Sequence, residues 1–179
     1  MELQKVLEER RSIRAYEPGC QVEKAQIEEL IQAAIYAPSW KNSQTARYYV
    51  AMSPEVTAQI RKECLPEMNQ AKVTEAPVLI VSTFVSHRSG FERDGQPTNE
   101  VGEGWGFYDL GLHNENLLLK ARDLGLDTLV MGIRDAAKLR SLLSVPEEEI
   151  IVAVIAVGVR AVNPDMPKRK EVAEIAKFF

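Results

Sequence analysis

Histidine and cysteine, the residues most metal and covalent chemistry draws on, are scarce in this chain. Among 179 residues there are two histidines, His87 and His113, and two cysteines, Cys20 and Cys64. No Cys-x-x-Cys pair occurs, and neither histidine has a second ligand at binding spacing, which argues against a metal site. There is no Gly-x-Ser-x-Gly elbow, and the glycine-rich stretch Gly102 to Gly106 fits neither the P-loop nor Gly-x-Gly-x-x-Gly. It reads instead as a flexible approach to a helix. Long apolar runs are also missing. The most apolar stretch, Ile150 to Val159 (IIVAVIAVGV), has ten residues, about half of the ~20 that span a bilayer, and reads as a buried strand. Nor is there an excess of positive charge: 22 Lys and Arg stand against 26 Asp and Glu, a formal net charge of -4. A broad nucleic-acid footprint is thereby excluded, and any anionic partner must be small and met locally. The opening MELQKVLEERR is charged and periodic where a secretory signal would be apolar. The expectation is a reduced, cytoplasmic protein of one domain, residues 1–179, with 45% apolar residues to build its core.

What is present has a regular period. Leu3, Val6 and Leu7 predict a short first helix ending at Arg10 and Arg11. Ile27, Leu30, Ile31, Ala34 and Ile35 give a second from about Val22, stopped by Pro38. PSWKNSQT then reads as a loop and RYYVAM, Arg47 to Met52, as a strand. Ser53-Pro54-Glu55 is an N-cap, a first-turn proline and an acidic first turn for a helix that turns Val56, Ile60 and Cys64 inward. Further strands are expected at Val78 to Phe84, Thr128 to Met131 and Ile150 to Val157, and helices at Trp105 to Leu124, closed by Gly125, and at Ala136 to Leu143. Ser86 to Gly104 is a long polar loop, a length that usually signals function or mobility. The order suggests a layered α+β or α/β sheet.

The candidate chemistry lies in the basic clusters. In RRSIRAY, Arg10, Arg11 and Arg14 surround Ser12 at a helix end. Guanidinium groups bind phosphate bidentately and a hydroxyl adds a directional donor, so the segment can cradle a phosphate; it can equally just complement the helix dipole. The tail offers Lys168-Arg169-Lys170, a second cradle or a solvated run. In PSWKNSQT, Ser39, Asn42 and Gln44 carry groups suited to the edge of a heteroaromatic ring, as any surface loop also does. With no obvious nucleophile, the chemistry is expected to belong to a cofactor.

RRSIRAY, APSWKNSQTARYYV, MNQAKVTEAPVLIV, DLGLHNENLLLKARDLGLDTLVMG and PKRK, in this order, resemble the FMN-dependent nitroreductase family. The resemblance covers most of the chain and fades between Ser86 and Gly104. It implies an α+β fold with a central, mainly antiparallel sheet flanked by helices, in an intertwined homodimer with FMN at the interface. Carried over residue by residue, it implies that Arg10, Arg11, Ser12 and Arg14, helped by Lys168 and Arg169, hold the FMN phosphate and ribityl chain, with Lys170 a competitor in the tail. Pro38, Ser39, Asn42 and Gln44 would reach the flavin of the partner subunit. Thr45-Ala46 stand where the family commonly has Pro-Trp, which leaves the packing behind that loop open. Asn69 and Lys72 match the pair beside the flavin pyrimidine, and the backbone of Met131, Gly132 and Ile133 would face N5.

The implied activity is ping-pong transfer of two electrons from NADH or NADPH through FMN to a nitroaromatic, a quinone or a similar electron-poor acceptor. No side chain need act as an essential acid or base. Phe91, Trp105 and Tyr108 are candidate walls for the acceptor. The rivals are a flavin enzyme of other chemistry, such as reductive dehalogenation or azoline dehydrogenation, and a non-catalytic FMN binder.

Overall fold

A computed structural model describes residues 2–179. Four strands, β1 (Ala46–Ala51), β2 (Val78–Val85), β3 (Asp127–Met131) and β4 (Glu149–Gly158), form one sheet in the order β1-β2-β4-β3. Every neighbouring pair is antiparallel, so the pairing decides for α+β between the two layered arrangements left open by the element order. β2 and β4 occupy the centre because their apolar runs supply side chains to both faces. Leu79 and Val81 point to one layer with Ile60, Cys64, Val73 and Leu139. Val78 and Ile80 point to the other, with Ile27, Leu30, Leu117, Leu118 and Ala121.

The helices follow the sequence periods closely. α1 is Leu3–Glu9 and α2 is Lys24–Ile35. α3, Pro54–Gln59, starts where the Val56 N–H donates to Ser53 Oγ at 3.3 Å. It continues into a π turn, Ile60–Cys64, whose end carbonyl, on Cys64, accepts from the Asp135 N–H at 2.8 Å. A short helix, α4 (Glu67–Gln70), runs on into a 3-10 turn over Ala71–Val73. α5, Gly104–Asp123, ends with the Gly125 N–H on Arg122 O and the Leu126 N–H on Ala121 O, a Schellman closure with Gly125 at φ +79°. α6 is Ala136–Leu143, and a last single turn, α7, is Val172–Ile175. No helix among the described residues is long and apolar enough to cross a membrane.

The glycine-rich first turn of α5 is a tight joint. A Cβ on Gly106 would lie 2.2 Å from Phe84 Cε2, so the glycine exists to let the helix lie against that buried ring.

After α1 the chain runs along the sheet. Ile13 N–H donates to Thr128 O at 2.9 Å, Glu17 N–H to Val159 O at 2.9 Å, and Ala161 N–H to Ala15 O at 3.0 Å. Ile13 and Tyr16 are buried in this extended run. The strand alternation therefore turns Ser12 and Arg14 outward. From Ala161 to Ile175 the tail is exposed throughout.

Candidate functional site

The outward residues of the first motif meet the tail. Arg10, Arg11, Ser12 and Arg14 line a cleft of about 250 Å³ with Pro164, Asp165, Pro167 and Arg169. Arg169 is the tail cation the fold brings there; Lys168 and Lys170 are exposed and are not among its walls. Four guanidinium groups thus face one carboxylate. Their own contacts leave donors over. Arg11 Nη1 donates to Glu8 O at 2.6 Å and Arg10 O at 2.8 Å, Arg14 Nη1 to Ser12 O at 3.2 Å, and Arg169 Nη1 to Pro167 O at 3.1 Å. Arg10 Nε stands 3.6 Å from Glu115, a half-exposed surface pair worth little. Among the described residues Arg11, Arg14 and Arg169 have no carboxylate partner, and Arg11 Nε is buried without an acceptor. Buried donors without acceptors are costly, so the cleft fits a small polyanion with several oxygens, such as a phosphate monoester.

A second group forms across the sheet end. Asn69 is buried, and its Nδ2 donates to Ile133 O at 3.1 Å while its Oδ1 accepts from Lys72 Nζ at 3.3 Å. One amide thus links MNQAK to the turn after β3 and aims an ammonium group. Met131 is buried, whereas Gly132 and Ile133 lie open to solvent.

The loop after α2 is held in an unusual shape. Lys41, Asn42 and Gln44 have φ of 46°, 55° and 49°, a left-handed conformation that costs energy in non-glycine residues. The Gln44 N–H donates to Ser39 Oγ at 3.0 Å, so Ser39 shapes the loop, while Pro38, Asn42 and Gln44 are exposed. Beneath it sits Asp109, buried on α5, which accepts from the Trp40 N–H at 2.9 Å and from Ser89 Oγ at 2.6 Å. Ser89 shares hydrogen bonds with Ser43 Oγ at 2.7 Å and Thr45 Oγ1 at 3.4 Å. Thr45 is therefore part of a buried polar network, which is what packs behind this loop in place of Pro-Trp. Trp40 lies 4.5 Å from Trp105, and Lys41 Nζ 3.1 Å from Glu92, whose carboxyl Lys41 and Thr98 hold below its ordinary range. These contacts dock the 86–104 segment on the 38–44 loop. Of the proposed walls, Tyr108 is exposed and edge-on to Trp105 at 5.7 Å, and Phe91 is tilted against His87 at 5.1 Å. Gln44 borders a separate cleft, with Ile31, Ile35, Ala46, Arg47, Tyr48 and His113, so within one chain the loop is not brought to the arginines.

Sequence reasoning missed Asp109 and Ser89, which act across 69 and 46 positions on Trp40 and Ser43. The available signal was an aspartate on the apolar face of α5, beside Leu110.

The sequence profile of the nitroreductase family matches residues 7–159. The chain belongs to the nitroreductase family. The profile match stops short of the tail, so Arg169 joins the cleft through this structure alone. Among nitroreductase-family relatives, a Methanothermobacter thermautotrophicus protein with the provisional name NADH dehydrogenase/NAD(P)H nitroreductase is 29% identical over 92% of this chain and 80% of its own. A solved Exiguobacterium sibiricum structure, described as a provisional nitroreductase in complex with FMN, shares the fold with a TM-score of 0.87 at 20% identity, covering 100% of this chain and 98% of that one. The fold also recurs in CLA-ER, a gut-bacterial enone reductase, with a TM-score of 0.85 at 20% identity over 99% of this chain and 97% of that one.

Proposed function

We propose that this chain is an NAD(P)H-dependent FMN oxidoreductase that reduces nitroaromatic, quinone or similar electron-poor acceptors by a ping-pong route, as a homodimer. The observation that carries the proposal is the arginine cleft: four guanidinium groups, with Arg11 Nε buried and unpaired, converging on a space with room for a phosphate group, on a protein of net negative charge. The relative named for NAD(P)H nitroreductase and the neighbour solved with FMN point the same way.

In this reading Arg10, Arg11, Ser12, Arg14 and Arg169 hold the phosphate and ribityl end, with Lys168 flanking it. Asn69 and Lys72 face the pyrimidine edge, and the open backbone of Met131, Gly132 and Ile133 faces the reactive side of the ring. Pro38, Ser39, Asn42 and Gln44 belong to the site of the opposite subunit, which accounts for their distance from the arginines of their own chain. When bound, FMN supplies the two-electron chemistry, accepting hydride from NAD(P)H and passing it to the acceptor. The protein's part is binding, orientation and charge.

Lys72 has the clearest electrostatic role. A cation beside the pyrimidine favours the negative charge of the reduced flavin, so Lys72→Ala is expected to lower the midpoint potential by roughly 20–60 mV, or about 1–3 kcal/mol for two electrons. Equilibrium reduction against a reference dye measures it, and an unchanged potential removes Lys72 from the site. The reaction itself is tested anaerobically. The FMN-loaded protein should be bleached by NADH or NADPH and regain its colour with a quinone or nitroaromatic. FMN that binds yet stays oxidised with both dinucleotides would make the protein a flavin binder and not an enzyme of this kind.

A further inference from the structure

Next to the arginine cleft lies an ion cluster that the site described so far does not use. Asp127 opens β3 with its side chain 2% exposed. Its Oδ1 and Oδ2 accept from Arg122 Nη1 at 3.2 and 3.4 Å, and its Oδ2 from Arg160 Nε at 2.8 Å and the Arg160 N–H at 3.3 Å. Arg160 Nη2 also donates to Asp127 Oδ1. The rest of the Arg160 guanidinium reaches outward, Nη1 to Asn163 Oδ1 at 2.7 Å and Nη2 to the Glu9 carbonyl at 3.3 Å. Arg122 Nε stands 3.6 Å from the Glu9 carboxylate. Two arginines and two carboxylates therefore face one another, with Arg122 Nη1 and the Arg160 guanidinium bound to Asp127 and Arg122 Nε buried without a hydrogen-bond partner. They border the neighbouring cleft of about 470 Å³, which Glu8, Glu9 and Asp165 also line.

Each wall of the arginine cleft starts at this cluster. Glu9 is the residue before Arg10. Thr128, next to Asp127, takes the Ile13 N–H and so fixes the run that turns Ser12 and Arg14 outward. Asn163 is the residue before Pro164, where the wall that carries Arg169 begins. A buried ion cluster adds little net stability, because desolvation offsets its attraction, but it fixes geometry closely.

We infer that Asp127 and Arg160 are positioning residues for the arginine cleft: they set the spacing between the Arg10 to Arg14 segment and the tail bearing Arg169, and with it the selectivity for a phosphorylated flavin. This rests on the assignment of the cleft to the FMN phosphate. A positioning role for Asp127 predicts an effect of opposite sign to that of charge alone. Asp127→Asn removes a negative charge beside a cationic cleft, so Coulomb attraction by itself would tighten binding of a dianion. Loss of the spacing would weaken it.

The test is titration of the flavin-free protein with FMN and with riboflavin, alongside thermal unfolding, for the wild type, Asp127→Asn and Asn163→Ala. Asp127→Asn should weaken FMN roughly tenfold or more, as expected when a buried hydrogen-bonded charge pair loses a partner, and leave riboflavin within about twofold. Asn163→Ala, which cuts only the exposed Arg160–Asn163 bond, should weaken FMN by about two- to fivefold with an unchanged Tm. FMN bound as well or better by Asp127→Asn, or FMN and riboflavin weakened in equal proportion, would overturn the positioning role. Should Asp127→Asn not fold, Asn163→Ala decides alone, and an unchanged FMN-to-riboflavin ratio there overturns it. A wild-type protein that does not distinguish FMN from riboflavin shows instead that the cleft is no flavin-phosphate site at all.

Discussion

Replacing Arg14 and Arg169 together with alanine is expected to leave the purified protein colourless. Each contributes a charge-assisted bond of about 1.5–3 kcal/mol to a phosphate, so the pair should cost roughly 3 kcal/mol or more, a hundredfold or greater weakening of FMN. The fold should be untouched, because apart from the cleft these side chains donate only to the carbonyls of Ser12 and Pro167, each two residues away. Riboflavin, which has no phosphate, should bind the double variant as it binds the wild type. Full retention of FMN would show that the two walls of the cleft do not hold its phosphate.

Gly106→Ala is expected to destabilise the fold through a single methyl group. Helix propensity alone points the other way, since alanine inside a helix is favoured over glycine by about 1 kcal/mol. Packing decides the sign. The new Cβ would lie 2.2, 2.5 and 2.9 Å from three atoms of the Phe84 ring. That ring is fully buried in β2 and held edge-on by Phe107 at 4.9 Å, so it cannot step aside. Overpacking costs about 1–3 kcal/mol, and this site stands at or above the upper end because its neighbours are fixed, so that after the helix gain of about 1 kcal/mol a net loss of about 2 kcal/mol or more is left. Thermal unfolding should show a Tm lower by roughly 5 °C or more. A rise in Tm would mean that Phe84 has room to move. Because α5 carries Asp109, its displacement should also loosen the 38–44 loop.

The elements were legible in the sequence wherever one face had to be buried. IIVAVIAVGV announced β4 because a central strand needs apolar side chains on both faces, and Ser53-Pro54-Glu55 announced α3 because a helix start needs an acceptor and tolerates proline. The order of the strands was not legible, since antiparallel neighbours are chosen by packing between distant segments. The glycines at the start of α5 read locally as flexibility, and only the position of Phe84 shows that Gly106 permits close contact. The left-handed stretch at Lys41, Asn42 and Gln44 has no glycine to signal it; the Asp109 network and the Trp40–Trp105 contact impose it from outside. At the site, Arg10, Arg11 and Arg14 were visible as a cluster, but the cleft that joins them to Arg169, and not to Lys168 or Lys170, was not. The pairing of Arg160 with Asp127, 33 positions apart, is invisible to local pattern and follows only from the antiparallel register of β3 with β4.

Titration of the flavin-free wild-type protein with FMN and with riboflavin tests most directly whether the arginine cleft is a flavin-phosphate site. The expected result is FMN bound at least about a hundredfold more tightly than riboflavin, the share of a few charge-assisted bonds, with a difference that shrinks as salt is raised. Equal affinity for the two flavins at every salt concentration would contradict it.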